Sequence, residues 1–158
     1  MRVSEIMTAP VYTVGAHESA MTAWETMRFR RTHHLVVADQ EGHAVGVISA
    51  GDLGGKNGES VRAGRRVGDL MTQKLVVVQL DTTVREAANL MRGHEVNCLP
   101  VFDGRDRLQG IVTVLDLLEL IGRGNERPMK AAPRAVLKNR GVVPRQASVR
   151  DRTRRAAR

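Results

Sequence analysis

The sequence has few aromatic residues and a single cysteine. Aromatic side chains make up 3% of its 158 residues and apolar residues 42%, so any core must be aliphatic. Cys98 alone excludes an internal disulfide, which is typical of proteins in a reducing compartment. The opening MRVSEIMTAP lacks the apolar run of a signal peptide, and no stretch reaches membrane-spanning length. These absences favour a cytoplasmic protein with no membrane partner.

The sequence also lacks the motifs of catalysis and metal binding. It contains no Gly-x-Ser-x-Gly motif, no phosphate-binding loop and no catalytic carboxylate pair. His33 and His34 are adjacent, but neighbours on a strand point to opposite faces and cannot hold one ion. No Cys/His cluster with zinc spacing accompanies them. We therefore predict that the chain is not an enzyme and has no metal site.

The net charge of +8 is unevenly distributed along the chain. Residues 122–158 hold twelve basic and two acidic residues, or +10, which leaves thirteen basic and fifteen acidic residues, or −2, in residues 1–121. Low hydrophobicity and high charge predict a flexible tail. The functional alternative is attachment of the tail to nucleic acid or to an acidic protein. Because the tail has no aromatic residue, such binding would be sensitive to salt rather than to sequence.

The rest of the chain contains an internal repeat, which is the feature that reveals the architecture. A shift of 64 residues aligns Val3–Leu53 with Val67–Leu117 without a gap. The identical pairs include Val3/Val67, Met7/Met71, Thr8/Thr72, Val14/Val78, Ala23/Ala87, Met27/Met91, Arg28/Arg92, Leu35/Leu99, Val37/Val101, Asp39/Asp103, Gly46/Gly110, Asp52/Asp116 and Leu53/Leu117.

Each repeat is predicted to fold as strand, helix, strand, strand, helix. Ile6–Thr8 opens the first copy, and Ser19 caps a helix whose apolar residues recur at helical spacing. The final helix of the first copy should start near Ala50 and stop early at Gly54 and Gly55. In the second copy, Thr83 and Glu86 form a capping box, and the final helix is longer and apolar. The last strand of each copy is predicted over Ala44–Ser49 and Leu108–Thr113.

A hydroxyl residue and an aspartate stand three positions apart where each final strand runs into a helix. These pairs are Ser49 with Asp52 and Thr113 with Asp116. The spacing is close to that of a capping box, in which both side chains satisfy free backbone groups at a helix start. It also suits a ligand with a diol and a phosphate, because both side chains face the same way beside free N–H groups. Spacing alone leaves both interpretations open.

The duplicated motifs resemble those of the CBS domain, and the tandem pair is similar to a Bateman module. They read V-x-D-L-M-T, L-P-V-F-D and G-I-V-T-x-x-D-L in the second copy. The resemblance implies an α/β (α+β) fold of two β-α-β-β-α repeats, packed through their sheets with pseudo-two-fold symmetry, plus the basic C-terminal tail. It divides the chain into CBS repeat 1 (1–55), a linker (56–66), CBS repeat 2 (67–122) and the tail (123–158).

The resemblance further implies a stand-alone regulatory module that binds AMP, ADP, ATP or S-adenosylmethionine in clefts between the repeats. No cofactor is required, Mg²⁺ is compatible with bound ATP, and two modules are expected to form a homodimer. The alternative is a dimeric interaction scaffold whose tail binds nucleic acid or an acidic partner.

By the same resemblance, each aspartate accepts hydrogen bonds from a ribose, and segments around the strands complete each pocket. Cys98 also fits an inert buried thiol. The implied ligand-binding residues are Thr13, Val14, Ala16, His33, His34, Leu35, Ser49 and Asp52 in the first copy. In the second copy they are Val77, Val78, Leu80, Asn97, Cys98, Leu99, Pro100, Thr113 and Asp116.

Overall fold

Two three-stranded sheets form the centre of the molecule. A computed structural model describes residues 1–122, and the tail predicted over residues 123–158 lies outside them. Both predicted repeats of the mixed α+β fold are present. The first contains β1 (Thr13–Gly15), α1 (Ala20–Arg30), β2 (His34–Ala38) and β3 (Ala44–Ser49); α2 (Glu59–Arg62) lies between the repeats, and α3 (Val67–Leu70) opens the second. The second contains β4 (Val78–Gln79), α4 (Val84–His94), β5 (Cys98–Phe102), β6 (Leu108–Thr113) and α5 (Val114–Gly122).

The two sheets share one topology and one register. In each sheet a short first strand runs parallel to the middle strand, which pairs antiparallel with the last. His34 lies opposite Ser49, and Cys98 lies opposite Thr113. The antiparallel register slips at the same point in both copies, between the last two residues of β2 and of β5. The duplication seen in the sequence is therefore preserved in the strand pairing.

The long helices begin and end alike. Ser19 caps α1 by accepting a hydrogen bond from the Thr22 N–H at 3.0 Å, and Thr83 and Glu86 form the predicted capping box of α4. Both helices end at a residue in the left-handed conformation, Arg31 with φ 54° and Glu95 with φ 56°. The predicted N-terminal caps of both helices are confirmed.

The end of the first repeat differs from the prediction of a short helix near Ala50. Residues 50–57 form turns, and Gly54 and Gly55 adopt positive φ angles of 77° and 61°. Glycine adopts this conformation readily, whereas it is costly for most other residues. The segment predicted as a linker holds α2, in which the Arg62 side chain is buried.

A third, smaller core joins the two sheets. Val36 of β2 packs with Cys98 and Ile111 of the second sheet, so the sheets meet face to face as predicted. Two further cores lie between each sheet and its helices. None of the helices within residues 1–122 is long and apolar enough to cross a membrane.

The segment before each repeat packs on the opposite sheet. Val3 and Ile6 lie in the core of the second repeat, and Thr8 exchanges two backbone hydrogen bonds with Ile111. Val67 lies in the core of the first repeat. Ile6–Thr8 thus opens the first repeat along the chain but packs on the second sheet. Exchange of these segments ties the two copies together.

Candidate functional site

The Ser49–Asp52 pair lies where β3 ends. The Ser49 N–H and hydroxyl both donate to Oδ2 of Asp52, at 2.7 Å each, and the Asp52 N–H donates back to the hydroxyl at 3.1 Å. This is the reciprocal geometry of a capping box, although no helix follows it. Within residues 1–122, Oδ1 of Asp52 accepts no hydrogen bond. The local interaction therefore uses one carboxylate oxygen and leaves acceptor capacity on the other.

The Thr113–Asp116 pair repeats two of these hydrogen bonds at the start of α5. The Thr113 N–H donates to Oδ2 of Asp116 at 2.7 Å, and the Thr113 hydroxyl donates to the same oxygen at 2.9 Å. Asp116 is only 2% exposed, whereas Asp52 is half-buried. Helix capping holds for Thr113–Asp116, which starts α5, whereas Ser49–Asp52 has the same local bonds without a helix to cap. The free oxygen of Asp52 is compatible with a ligand.

The other predicted site residues divide into exposed and buried groups. The exposed ones are Thr13, His33, Val77 and Asn97. Ala16, His34 and Leu80 are half-buried, and Cys98 and Pro100 are buried. Val14, Leu35, Val78 and Leu99 belong to the hydrophobic cores, so their side chains serve packing.

Groups from both repeats interact electrostatically around Asp52. Burial lowers the pKa of His34, the neighbouring His33 lowers it further, and the Asp52 carboxylate opposes this shift. Burial raises the pKa of the Cys98 thiol to about 12, and Asp52 adds to that shift. A thiol with this pKa is protonated at neutral pH, which fits the predicted inert cysteine. The structure thus brings Asp52 and His34 of the first copy close to Cys98 of the second.

A cavity of about 570 Å³ lies beside α1, and we call it the α1 pocket. The apolar residues that line it are Trp24, Met27 and Ala50. The polar and charged residues that line it are Arg28, Arg31, Thr32, His33 and Lys56. Of these residues, only His33 was predicted as a site residue. The signal for the others lies in the repeat alignment, because a shift of 64 places Glu95 opposite Arg31 and Leu120 opposite Lys56.

One group of side chains within the described residues could offer three ligand atoms to a metal ion. Asp39, Glu41 and His43 bring these atoms within 4.8 Å of one another in the β2–β3 turn. The Asp39 carboxylate accepts hydrogen bonds from the backbone N–H groups of Glu41 and His43. Asp103 accepts the same pair of bonds in the second repeat, where arginines replace Glu41 and His43. The aspartate is therefore explained by the turn.

Comparison with known proteins gives consistent relatives. The family model described as "CBS domain" matches residues 3–53 and 67–123. Uncharacterized protein MJ1404 of Methanocaldococcus jannaschii is 33% identical over 134 residues, which cover 76% of this chain and 32% of that protein. The chain thus spans about a third of this relative's length.

Solved structures show the same fold. The CBS domain pair of protein MJ0100, in complex with 5′-methylthioadenosine and S-adenosyl-L-methionine, has a TM-score of 0.69 and 26% identity, with coverage of 78% of this chain and 97% of that one. CBSX2 in complex with AMP has a TM-score of 0.63 and 28% identity, with coverage of 77% and 96%. With two matched segments, exchanged N-terminal segments and a shared strand register, this chain belongs to the CBS domain family and carries two copies of the domain.

Proposed function

We propose that the chain is a non-catalytic regulatory module that binds an adenosyl ligand in the clefts between its two CBS repeats. The observation that carries this proposal is the duplicated pair of hydroxyl and aspartate at the end of β3 and of β6. Each pair is held in place by its own hydrogen bonds before any ligand arrives. The complexes of similar domain pairs with 5′-methylthioadenosine, S-adenosyl-L-methionine and AMP support an adenosyl ligand.

The geometry suits a ribose because a carboxylate can accept both hydroxyls of a cis-diol. Oδ1 of Asp52 accepts no hydrogen bond from residues 1–122, so its lone pairs are available to the ligand, whereas Oδ2 already accepts two bonds from Ser49. Hydrogen bonds to a charged acceptor are worth about 1.5–3 kcal/mol each. The exposed and half-buried residues around the two aspartates would complete the pockets for base and phosphate. Thr13, Ala16, His33 and His34 would serve the first pocket, and Val77, Leu80 and Asn97 the second.

Isothermal titration of the full chain with AMP, ADP, ATP and S-adenosyl-L-methionine tests this proposal. We expect saturable heat with at least one of them, and repeating the ATP titration with Mg²⁺ asks whether the ion accompanies the ligand. Mass spectrometry of ligand released from purified protein provides an independent identification. Absence of binding by all four compounds, with no adenosyl ligand retained through purification, would contradict the proposal.

The module is proposed to act as a homodimer. Leu115, Leu118 and Ile121 on α5 are 63%, 55% and 76% exposed, so one helix presents a row of apolar side chains to solvent. A small domain pair gains stability from burying such a face against a second copy. Light scattering at micromolar concentration should give a dimer mass, and Leu118→Glu should shift it to monomer. A monomeric wild-type mass, with and without nucleotide, would contradict a dimer.

Charge favours a second function for the C-terminal tail. The +10 on residues 122–158, set against −2 on the rest of the chain, supports electrostatic binding to nucleic acid or an acidic protein. Removal of residues 124–158 should abolish retention on RNA at low salt. Equal retention of the full and shortened chains would contradict this role.

A further inference from the structure

The α1 pocket is a product of divergence between the repeats. In the second repeat α5 packs against α4, and Val96 and Val114 join the apolar core there. The equivalent positions of the first repeat are Thr32 and Ala50, and turns replace the helix. A cavity remains where the second copy has packed side chains. At about 570 Å³, its volume lies within the range of small-molecule sites.

Three cations line this cavity, and none has a partner within the part of the chain that the structure describes. The side chains of Arg28, Arg31 and Lys56 make no hydrogen bond or ion pair with another residue of the described chain. Among the described residues that line the cavity, none carries a carboxylate. The second repeat has Glu95 and Leu120 at the positions of Arg31 and Lys56. At two of the three positions, the copy that has the cavity therefore carries a cation that the other copy lacks.

A buried arginine supports one wall of the cavity. Arg62 is 4% exposed, and its Nη1 donates hydrogen bonds of 2.7 Å to the carbonyls of Leu53 and Gly55. Its guanidinium lies 4.4 Å from the centre of the Trp24 ring. These contacts hold the loop that carries Lys56 in a fixed position relative to the Trp24 ring. Arg62 thus holds the backbone beside Lys56 and the Trp24 ring in place, so the walls of the pocket are fixed by contacts within the protein.

We propose that the α1 pocket binds a phosphate-bearing small molecule. Arginine and lysine side chains are the usual partners of phosphate, and two arginines allow bidentate contacts to its oxygens. A ligand with several phosphates would neutralise the three cations together. Either a free polyphosphate or the phosphate chain of a nucleotide has this chemistry.

The α1 pocket is distinct from the proposed adenosyl clefts. It shares only His33 with the residues predicted for them, and neither Asp52 nor Asp116 lines it. Variants can therefore separate the two sites.

The single tryptophan provides a local signal for the test. Trp24 lines the pocket and is the only tryptophan of the chain, so its fluorescence reports on the pocket. We expect a saturable change when the full chain is titrated with inorganic tripolyphosphate at fixed ionic strength. No change in Trp24 fluorescence would overturn the proposal.

Charge substitutions in the two repeats show whether the α1 pocket is responsible for tripolyphosphate binding. Arg31→Glu installs the residue of the second repeat, and Glu95 adopts the same left-handed backbone there, so the substitution is compatible with folding. Arg31→Glu and Lys56→Leu should each weaken tripolyphosphate binding at least tenfold. Arg92→Glu changes the net charge as Arg31→Glu does, but on α4, and should alter the affinity less than twofold. Equal weakening by Arg31→Glu and Arg92→Glu would refute a specific pocket.

Two further titrations identify the source of the phosphate and the independence of the site. Tighter binding of ATP than of tripolyphosphate assigns the pocket to a nucleotide, and equal binding assigns it to the phosphate chain alone. Adenosine should produce no change, and a response equal to that of ATP would overturn phosphate as the recognised group. The Asp52→Ala, Asp116→Ala double variant should retain tripolyphosphate binding, because the cleft aspartates lie outside the pocket.

Discussion

The two repeats share their strands and long helices and differ where each one ends. Both middle strands pair in one register, and both long helices have eleven residues and end in the left-handed conformation. After Thr113 the chain forms α5, whereas after Ser49 it forms turns. Gly51, Gly54 and Gly55 stand where the second copy has Leu115, Leu118 and Glu119. Since each glycine costs a helix about 1 kcal/mol, three of them are enough to prevent a short one.

This difference shows that the hydrogen bonds between the hydroxyl residue and the aspartate form whether or not a helix follows them. In both the Ser49–Asp52 and the Thr113–Asp116 pair, the backbone N–H and the hydroxyl donate to one aspartate oxygen, although only the second pair starts a helix. Loss of the helix leaves the possible ribose contact intact and opens the α1 pocket beside it. Duplication thus allowed one copy to keep the shared geometry and acquire a new surface.

Removal of Arg62 should have the largest effect on stability, because its buried side chain holds the turns that stand in the first repeat where the second has α5. Arg62→Ala leaves the buried carbonyl of Leu53 and the partly buried carbonyl of Gly55 without a charged donor. At about 1.5–3 kcal/mol per bond, we expect the free energy of unfolding to fall by about 3 kcal/mol or more. Urea unfolding provides the measurement. Arg65→Ala, at an exposed residue of the same segment, should cost less than about 0.5 kcal/mol. Equal losses would show that Arg62 has no structural role.

Matched glycine substitutions should separate the exchanged segments from the rest of the fold. A Cβ on Gly46 would lie 2.6 Å from the Thr72 carbonyl oxygen, and one on Gly110 would lie 2.8 Å from that of Thr8. Because backbone must move in both cases, Gly46→Ala and Gly110→Ala should each cost about 1–3 kcal/mol. Gly93→Ala on α4, where nothing lies within 4 Å, should raise stability by about 0.5–1 kcal/mol. Wild-type stability of both strand variants would mean that the segments dock differently.

The smallest expected effect is the pH dependence of stability that His34 contributes. The second repeat has no counterpart of this group, because Cys98 stands at the equivalent position. Burial lowers the pKa of His34 in the folded state below its ordinary value of 6.5. The unfolded chain then binds the proton more readily, so stability falls as the pH drops below 6.5 through the folded-state pKa. Thermal melts between pH 7.5 and 5.5 should show a smaller decline for His34→Gln than for the wild type. His17→Gln, at an exposed position, should keep the wild-type slope. An unchanged slope in His34→Gln would show that another group dominates.

Local patterns in the sequence predicted most of the secondary structure. β3 and β6 have the predicted bounds, and Ser19 and Thr83 cap their helices as expected. These elements depend on alternation, helical spacing and capping residues close together in the chain. The 64-residue shift added the tandem architecture, and the motifs indicated the CBS family.

Features that depend on distant contacts could not be predicted in this way. Docking of Ile6 on the second sheet is a choice between two similar apolar surfaces, and nothing near Ile6 in the sequence distinguishes them. Burial of Arg62 arises from carbonyls exposed by the turn at Gly54 and Gly55 and from the ring of Trp24. A basic residue in a polar, Gly-rich segment is ordinarily solvated. For the same reason, the α1 pocket could not be predicted from the sequence and became visible only in the structure.

Titration of the aspartate variants with the adenosyl compound that binds the wild type tests the central claim most directly. Loss of one ribose partner at about 1.5–3 kcal/mol per bond should weaken the variant's own cleft about tenfold or more. Glu86→Ala, which removes the capping acid of α4, should lower the melting temperature and leave affinity unchanged. Loss of binding in the double aspartate variant is the predicted result. Wild-type affinity in that variant, together with a lowered melting temperature, would assign both aspartates to capping alone.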